Sequence, residues 1–168
     1  MLQLILLRHG KSDWREPLPD RLRPLKRRGK LAASEAGHYL LQSEHTPTTV
    51  ISSPATRAIE TARLCMIAIK MSESEPDINE SLYMGSVAQH LSALAQVTVS
   101  HWPVMMVGHN PALDELLDYL IADSLPYRSD GKLMTTAALA RIALPRKWQE
   151  NPRGAGQLLE LRRPTRNS

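Results

Sequence analysis

Three apolar runs, each ending in a cationic or imidazole cluster, constrain this chain more than any other feature. Leu4-Ile5-Leu6-Leu7 leads into Arg8-His9-Gly10. Val50-Ile51 leads into Ser52-Ser53-Pro54 and Arg57, and Val104-Met105-Met106-Val107 leads into Gly108-His109-Asn110-Pro111. Unbroken apolar runs of this length fit strands buried on both faces, which belong to parallel sheets covered by helices. If the three are strands of one open sheet, the clusters project from its carboxyl edge, where ligand crevices of such sheets form. Two arginines and two histidines would then meet at one point. Such a cluster suits an anion, a phosphoryl group above all, with an imidazole at hand as nucleophile.

The rest of the chain alternates around these runs. Lys11 to Pro24 carries Pro17, Pro19 and Pro24 without periodicity and reads as a long loop, a kind of segment that is usually functional in a compact domain. From Leu25 to about Leu41 the apolar residues fall at helical spacing, with Leu31, Ala32, Ala36, Tyr39 and Leu40 on one side. Lys26, Arg27, Arg28 and Lys30 then face solvent and the loop edge. Thr48 to Ser52 is a short β-branched strand, and Pro54 stands where helices commonly begin. The spacing predicts a helix from about Ala55 to Lys70 that buries Ile59, Ala62, Met66 and Ile69 and holds Arg57 in its first turn. An irregular stretch, Pro76 to Gly85, contains Glu80 and precedes a helix over Ser86 to Val97. Pro111 opens a further helix carrying Leu113, Leu116, Leu117 and Leu120. Ala137 to Leu144 and Gln157 to Leu161 read as a closing hairpin-like pair that adds at least one antiparallel strand. The expected architecture is a three-layer α/β/α sandwich around a mainly parallel central sheet.

At 168 residues the chain fits one domain, 1–168, with enough length to bury a core. The fractions of charged residues, 23%, and hydrophobic residues, 42%, exclude a disordered chain. With no Phe, the core rests on Leu, Ile, Val, Ala and Met. The single cysteine, Cys65, lies in an apolar stretch and reads as a buried small hydrophobe, in keeping with a reducing compartment. The start of the chain lacks a basic segment of signal-peptide type, and no run approaches membrane-spanning length, so a soluble cytoplasmic protein with no membrane partner is expected. A net charge of +4 and a pI near 9.5 raise the question of nucleic acid. The basic residues are dispersed rather than interleaved with aromatics, and the densest patches, Lys26-Arg27-Arg28 and Arg162 to Arg166, read as solvated surface, so no nucleic-acid partner is expected.

Arg8-His9-Gly10, Ser53-Pro54-Ala55-Thr56-Arg57-Ala58-Ile59-Glu60-Thr61 and Gly108-His109-Asn110-Pro111, in that order and each after a strand, resemble the histidine phosphatase (phosphoglycerate mutase-like) superfamily. Leu6-Leu7-Arg8-His9-Gly10-Lys11-Ser12-Asp13-Trp14, Arg23-Pro24-Leu25 with Gly29, and Glu80-Ser81-Leu82-Tyr83 are similar to the short bacterial SixA-type phosphohistidine phosphatases. The resemblance covers nearly the whole chain and thins after about residue 125. It implies that His9 is the nucleophile that becomes transiently phosphorylated, with Arg8, Arg57 and His109 around the phosphoryl group. Physical chemistry supports the same roles. Phosphoryl transfer spreads charge over three equatorial oxygens, so the protein's task is placement and electrostatic stabilisation. Two guanidiniums stay charged and fork onto those oxygens, and His109, if protonated, adds a third donor, so neither metal nor other cofactor is expected. His9 must be neutral, with its second nitrogen donating to a backbone carbonyl.

Alternatives stand beside each assignment. Singly, His9 or His109 is more often a surface or core histidine than a reactive one; the combination with both arginines changes the reading. Arg57 could instead pair with Glu60 or Glu35 on a helix face. Ser12 either binds a phosphate oxygen or turns the loop, and His38, His45, His90 and His101 read as structural or exposed. Glu80 is the general-acid candidate by position in the superfamily, with Asp13 and Asp20 as other carboxylates. An acid is dispensable when the leaving group is an imidazole, whose pKa is near ~6.5, and needed when it is a strongly basic alkoxide. The expected substrate is therefore a phosphorylated protein carrying phosphohistidine. A small phosphate ester is the alternative, and a non-catalytic phosphate-binding module a more distant one.

Overall fold

The computed structural model describes residues 1–165, so Arg166 of the basic tail lies outside the described residues. Among the described residues six strands form one sheet: β1 (Leu2–Arg8), β2 (Thr49–Ser52), β3 (Asp77–Ile78), β4 (Val104–Gly108), β5 (Leu139–Leu144) and β6 (Gln157–Arg162). Their order is β3-β2-β4-β1-β5-β6. The pairs β3–β2, β2–β4 and β4–β1 are parallel, and β5 runs antiparallel to both β1 and β6. The sheet is thus mainly parallel, with the reversed strand that the closing pair predicts. The α-helices of the described residues that cover it are α1 (Arg27–Gln42), α2 (Thr56–Ala68), α3 (Val87–Ala95) and α4 (Ala112–Leu120).

The unbroken apolar runs have a direct structural meaning. Successive strand side chains point to opposite faces, so Leu4 and Leu6 of β1 join Val104 and Met106 in one core with α3 and α4 residues, while Ile5 and Leu7 join Met105 and Val107 in the other with α1 and α2. Leu4 to Leu7 are all fully buried. Full burial of such a side chain contributes about 1.5–3 kcal/mol, and truncating one to alanine costs about 2–5 kcal/mol.

Helix α1 differs from its sequence reading in which face it buries. Leu31, expected on the packed side, is 51% exposed, and the buried set is Gly29, Ala32, Ala33, Ala36, Gly37 and Leu40. The reason is close backbone approach: a Cβ on Gly37 would stand 2.5 Å from the Cys65 carbonyl oxygen and 2.6 Å from the Ala68 Cβ. Small residues set the α1–α2 contact, and a leucine there would hold the helices apart. Ile59 of α2 is likewise only partly buried, while Ala58, Thr61, Ala62, Cys65 and Met66 carry the contact. Within the stretch read as irregular, Asp77–Ile78 adds a two-residue edge strand and Glu80–Leu82 a single 3-10 turn. Helix α3 begins at a full capping box, Ser86 with Gln89, which satisfies two of its free N-terminal donors. No described helix is long and apolar enough to cross a membrane.

Register brings the three clusters together. Arg8 pairs with Gly108 across β1 and β4, and Ser52 with Val107 across β2 and β4. His9, Ser53 and His109 are therefore the next residues out on three neighbouring strands. Two further main-chain bonds fix this edge, from the His9 N–H to the Gly108 carbonyl at 3.1 Å and from the Ser53 N–H to the Val107 carbonyl at 3.0 Å.

Candidate active site

His9 leaves β1 into a turn held on every side. Its carbonyl accepts from the Ala137 N–H at 3.1 Å, and the Gly10 N–H donates to the Thr61 hydroxyl at 3.0 Å. That hydroxyl in turn donates to the Arg57 carbonyl at 2.7 Å, tying the turn to α2. Gly10 lies against α1 so tightly that a Cβ would stand 2.5 Å from the Gly29 carbonyl oxygen. The imidazole Nδ1 lies 2.7 Å from the Gly10 carbonyl oxygen. A carbonyl only accepts, so Nδ1 carries the proton and Nε2 keeps its lone pair. Burial first, then the Arg57 and Arg8 charges, push the His9 pKa down to about 4 against the Gly10 bond, which raises it. The ring is neutral at physiological pH, as a nucleophile must be.

His109 stands beside it, ring centroids 5.0 Å apart, with its Nε2 2.7 Å from the Ser53 hydroxyl. Burial, then the neighbouring His9 and Arg57, hold its pKa down to about 3, and its Nδ1 is buried without a partner among the described residues. In the free site His109 is therefore neutral, so the protonated third donor considered from sequence is not present there. Ser53 also accepts from the Ala55 N–H at 3.2 Å, which orients the hydroxyl against His109. Its position in the Ser-Pro motif was visible in the sequence, but its contact with His109 was not.

The Arg8 charge acts on both imidazoles, and its Nη1 donates to the Met134 carbonyl at 2.8 Å, leaving its buried Nε unpartnered among the described residues. Asp114 of α4 positions that carbonyl by accepting from the Leu133 and Met134 N–H groups at 3.0 and 2.9 Å. Asn110 donates to the same Met134 carbonyl at 2.9 Å. Nothing in the sequence pattern marks Asp114, because its partners lie some twenty residues downstream in a segment without periodicity.

The loop between Gly10 and α1 crosses the front of the site. Arg23 is buried at its base, stacked 3.7 Å from the Trp14 ring centroid and donating to the carbonyls of Asp13, Glu16 and Leu18. Ser12 is buried, bridges to Leu25 in the antiparallel sense and accepts from the Trp14 indole at 3.0 Å. Its hydroxyl is thus engaged in the loop.

Two of the sequence alternatives change place. Arg57, 8% exposed, pairs with neither Glu60 nor Glu35. Its Nη1 donates to the Asp20 carbonyl at 2.7 Å and its Nη2 to the Asp20 carboxylate at 3.0 Å. Glu60 instead accepts from the Leu25 N–H at 2.9 Å. Glu80, the acid candidate by position, has a side chain 68% exposed and is paired with Arg21 at 2.7 Å. It makes no hydrogen bond or ion pair with Arg8, His9, Arg57 or His109, because the Arg21 next to Asp20 holds it at the rim. The carboxylate inside the group is Asp20, which also accepts from the Tyr83 hydroxyl at 2.7 Å. That bond, followed by Arg57, lowers the Asp20 pKa, and the Tyr83 ring packs edge-on against His109. A cavity of about 390 Å³ opens between Asp20, Arg57, Tyr83, Met84 and His109. Among the described residues no group of three or more His, Cys, Asp and Glu side chains is arranged to hold a metal ion.

A neutral imidazole with a free lone pair beside a second imidazole, with the Arg57 and Arg8 charges acting on both, has the chemistry to hold a tetrahedral oxyanion and attack its centre. Comparisons with known proteins identify the family and the fold. An uncharacterized chloroplastic protein of Arabidopsis thaliana is 29% identical over 157 residues, 88% of this chain and 69% of its own length. Among solved structures, a protein assigned as the phosphohistidine phosphatase SixA of Agrobacterium tumefaciens is 25% identical, with a TM-score of 0.80 over 97% of this chain and 98% of that one. A protein histidine phosphatase SixA complexed with tungstate shares the fold at a TM-score of 0.79, 21% identity, and coverage of 95% and 96%. A mycobacterial glucosyl-3-phosphoglycerate phosphatase shares it at 0.70, with 16% identity over 95% of this chain and 98% of that one. Residues 4–102 match the Histidine phosphatase superfamily (branch 1), and the chain belongs to that superfamily, in its SixA-type, phosphoglycerate mutase-like form.

Proposed function

We propose that this phosphatase removes the phosphoryl group from protein phosphohistidine through a covalent intermediate on His9, with residues 1–168 acting as one catalytic domain and without a metal or other cofactor. The observation that carries the reading is the Nδ1 contact of His9 with the Gly10 carbonyl, which leaves the Nε2 lone pair free within the electrostatic reach of the Arg57 and Arg8 guanidiniums. In the first half-reaction Nε2 bonds to phosphorus while the P–N bond of the substrate, whose other ring nitrogen carries a proton, breaks and its electron pair leaves with the substrate as a neutral imidazole. Because Nδ1–H stays on the Gly10 carbonyl, the phosphorylated His9 ring is an imidazolium. In the second half-reaction water bonds to phosphorus and His9 departs as a neutral imidazole, a good leaving group. Arg8 and Arg57 bind equatorial oxygens, and His109, neutral in the free site, gains basicity from the arriving dianion and donates to it.

A protein substrate is supported by what surrounds the opening. The adjoining loops carry exposed Trp14, Leu22 and Met84, large apolar side chains of the kind that mark interaction surfaces. The cations Lys11, Lys26, Arg27 and Arg28 on the His9 side make no ion pair among the described residues and suit an acidic partner. The SixA-type likeness points the same way. A second reading, a small phosphomonoester, is favoured by the roughly 390 Å³ cavity with Leu82, Met84 and Pro111 on its walls, which offers room for a compact leaving group.

The test is phosphate release, with EDTA present, from a phosphohistidine-bearing protein, from an alkyl phosphomonoester and from p-nitrophenyl phosphate, with His9→Ala in parallel. The reading expects kcat/KM for phosphohistidine to exceed that for the alkyl ester at least tenfold and all turnover to disappear in His9→Ala. Equal or better turnover of the alkyl ester selects the second reading, and turnover that survives His9→Ala removes His9 as nucleophile.

A further inference from the structure

Asp20 holds the edge of Arg57 that a phosphoryl group bound to this guanidinium would use. Arg57 presents its two terminal nitrogens to a pair of Asp20 oxygens, one carbonyl and one carboxylate, 2.7 and 3.0 Å away. This is the forked geometry that a guanidinium uses on two oxygens of a phosphate. A phosphoryl group and Asp20 cannot both hold that edge. The Asp20 side chain is half exposed and sits on a single 3-10 turn, Asp20–Leu22, so it can be displaced without opening a core. Its other partner, the Tyr83 hydroxyl, lies on the wall next to His109 and keeps the carboxylate at the mouth. His9 and His109 both feel its charge.

We propose that Asp20 is a catalytic carboxylate of this site: it neutralises Arg57 in the free enzyme, yields that guanidinium to the phosphoryl group, and then takes the proton from the water that hydrolyses the His9 phosphoenzyme. The inference rests on the His9 intermediate proposed above. In the step concerned, the water oxygen bonds to phosphorus and the P–Nε2 bond breaks with its electron pair returning to His9. The water proton passes to an Asp20 carboxylate oxygen and from its exposed side to solvent. Displacement suits this role. While paired with Arg57 and Tyr83 the carboxylate is held to low basicity, and transfer of Arg57 to the phosphoryl oxygens removes one of the groups that depress it. The base thereby gains strength once the phosphoryl group is bound. Imidazole leaving groups make an acid unnecessary in the first step, so the role of a carboxylate falls on the second.

Asp20→Asn, Asp20→Ala and Glu80→Gln test the proposal, each phosphorylated by phosphoramidate and followed by rapid acid-labile phosphohistidine quantification. General-base assistance is commonly worth about 10²-fold or more. Asp20→Asn is therefore expected to slow hydrolysis of the phosphoenzyme by about that factor, so that phosphoenzyme accumulates, while formation changes by less than about threefold. The acidic limb of the hydrolysis pH profile should vanish with it. Asp20→Ala should also bind tungstate more tightly, because Arg57 loses its internal counter-ion. Unchanged hydrolysis with an unchanged pH profile overturns the proposal, as does slowing in Glu80→Gln in place of Asp20→Asn. Absence of any His9 phosphoenzyme in the wild type is a different failure and refutes the His9 intermediate itself.

Discussion

Arg57 shows how much of this site depends on shape as well as charge. It is nearly buried in the first turn of α2, and both terminal nitrogens point at one pair of oxygens. A lysine at that position keeps the charge but presents one compact ammonium on a flexible stem, which cannot fork onto two equatorial oxygens. Arg57→Lys is expected to lower kcat/KM by about 10²-fold, near what removal of one preorganised oxyanion donor costs. Because the ion pair with Asp20 lies at a half-exposed carboxylate, the thermal midpoint should move little. Steady-state kinetics beside a melting curve check both parts. A drop in activity that follows a large drop in stability would assign Arg57 a structural role.

At the scale of elements, the N-terminal turn of α1 packs directly against the main chain that follows His9. A Cβ on Gly29 would stand 2.3 Å from the Lys11 carbonyl oxygen and 2.7 Å from the Lys11 nitrogen, atoms of the main chain that follows His9. Helix propensity alone favours alanine over glycine by about 1 kcal/mol. Contact with backbone atoms reverses that sign, because either α1 or the His9 turn must shift. Gly29→Ala is expected to destabilise the protein and to reduce phosphoenzyme formation more than tenfold. An alanine variant more stable than the parent would show that the helix gives way freely. The same glycine explains what sequence reading captured and what it missed. Strands β1, β2 and β4 were legible because double-sided burial leaves an unbroken apolar run, and their charged ends followed from topology. The packed face of α1 was not, since periodicity weighs Leu31 above Gly29, Ala33 and Gly37, while close backbone approach selects the small residues. Which of the candidate carboxylates meets Arg57 was not legible for a related reason. Glu80 and Asp20 both fall in irregular segments, and which one reaches Arg57 depends on how Arg23 gathers three loop carbonyls, a long-range arrangement with no periodic trace.

For the whole molecule, the two buried histidines couple the site to acid stability. His9 titrates at about 4 and His109 at about 3 in the folded protein, whereas an unfolded histidine titrates near 6.5. Between those values the unfolded chain binds more protons than the folded one, so unfolding becomes easier as pH falls. The loss begins as pH drops through about 6.5 and, for His9, is complete near 4, where the folded ring protonates as well. From pH 7 to 4.5 the His9 contribution is on the order of 2 to 3 kcal/mol, a sizeable part of a stability of about 5–15 kcal/mol. Replacing the ring with an uncharged amide in His9→Gln removes the titration while filling similar space. Urea unfolding at pH 7 and 4.5 should show a drop in the parent that shrinks by on the order of 2 kcal/mol in the variant. Parallel pH dependence in the two proteins would mean that the His9 ring takes up its proton in the folded state as readily as in the unfolded one. The neutral nucleophile inferred from its buried, cation-lined setting would then fail with it. The same burial that keeps the lone pair free thus makes the fold acid-sensitive, and one substitution reads out both.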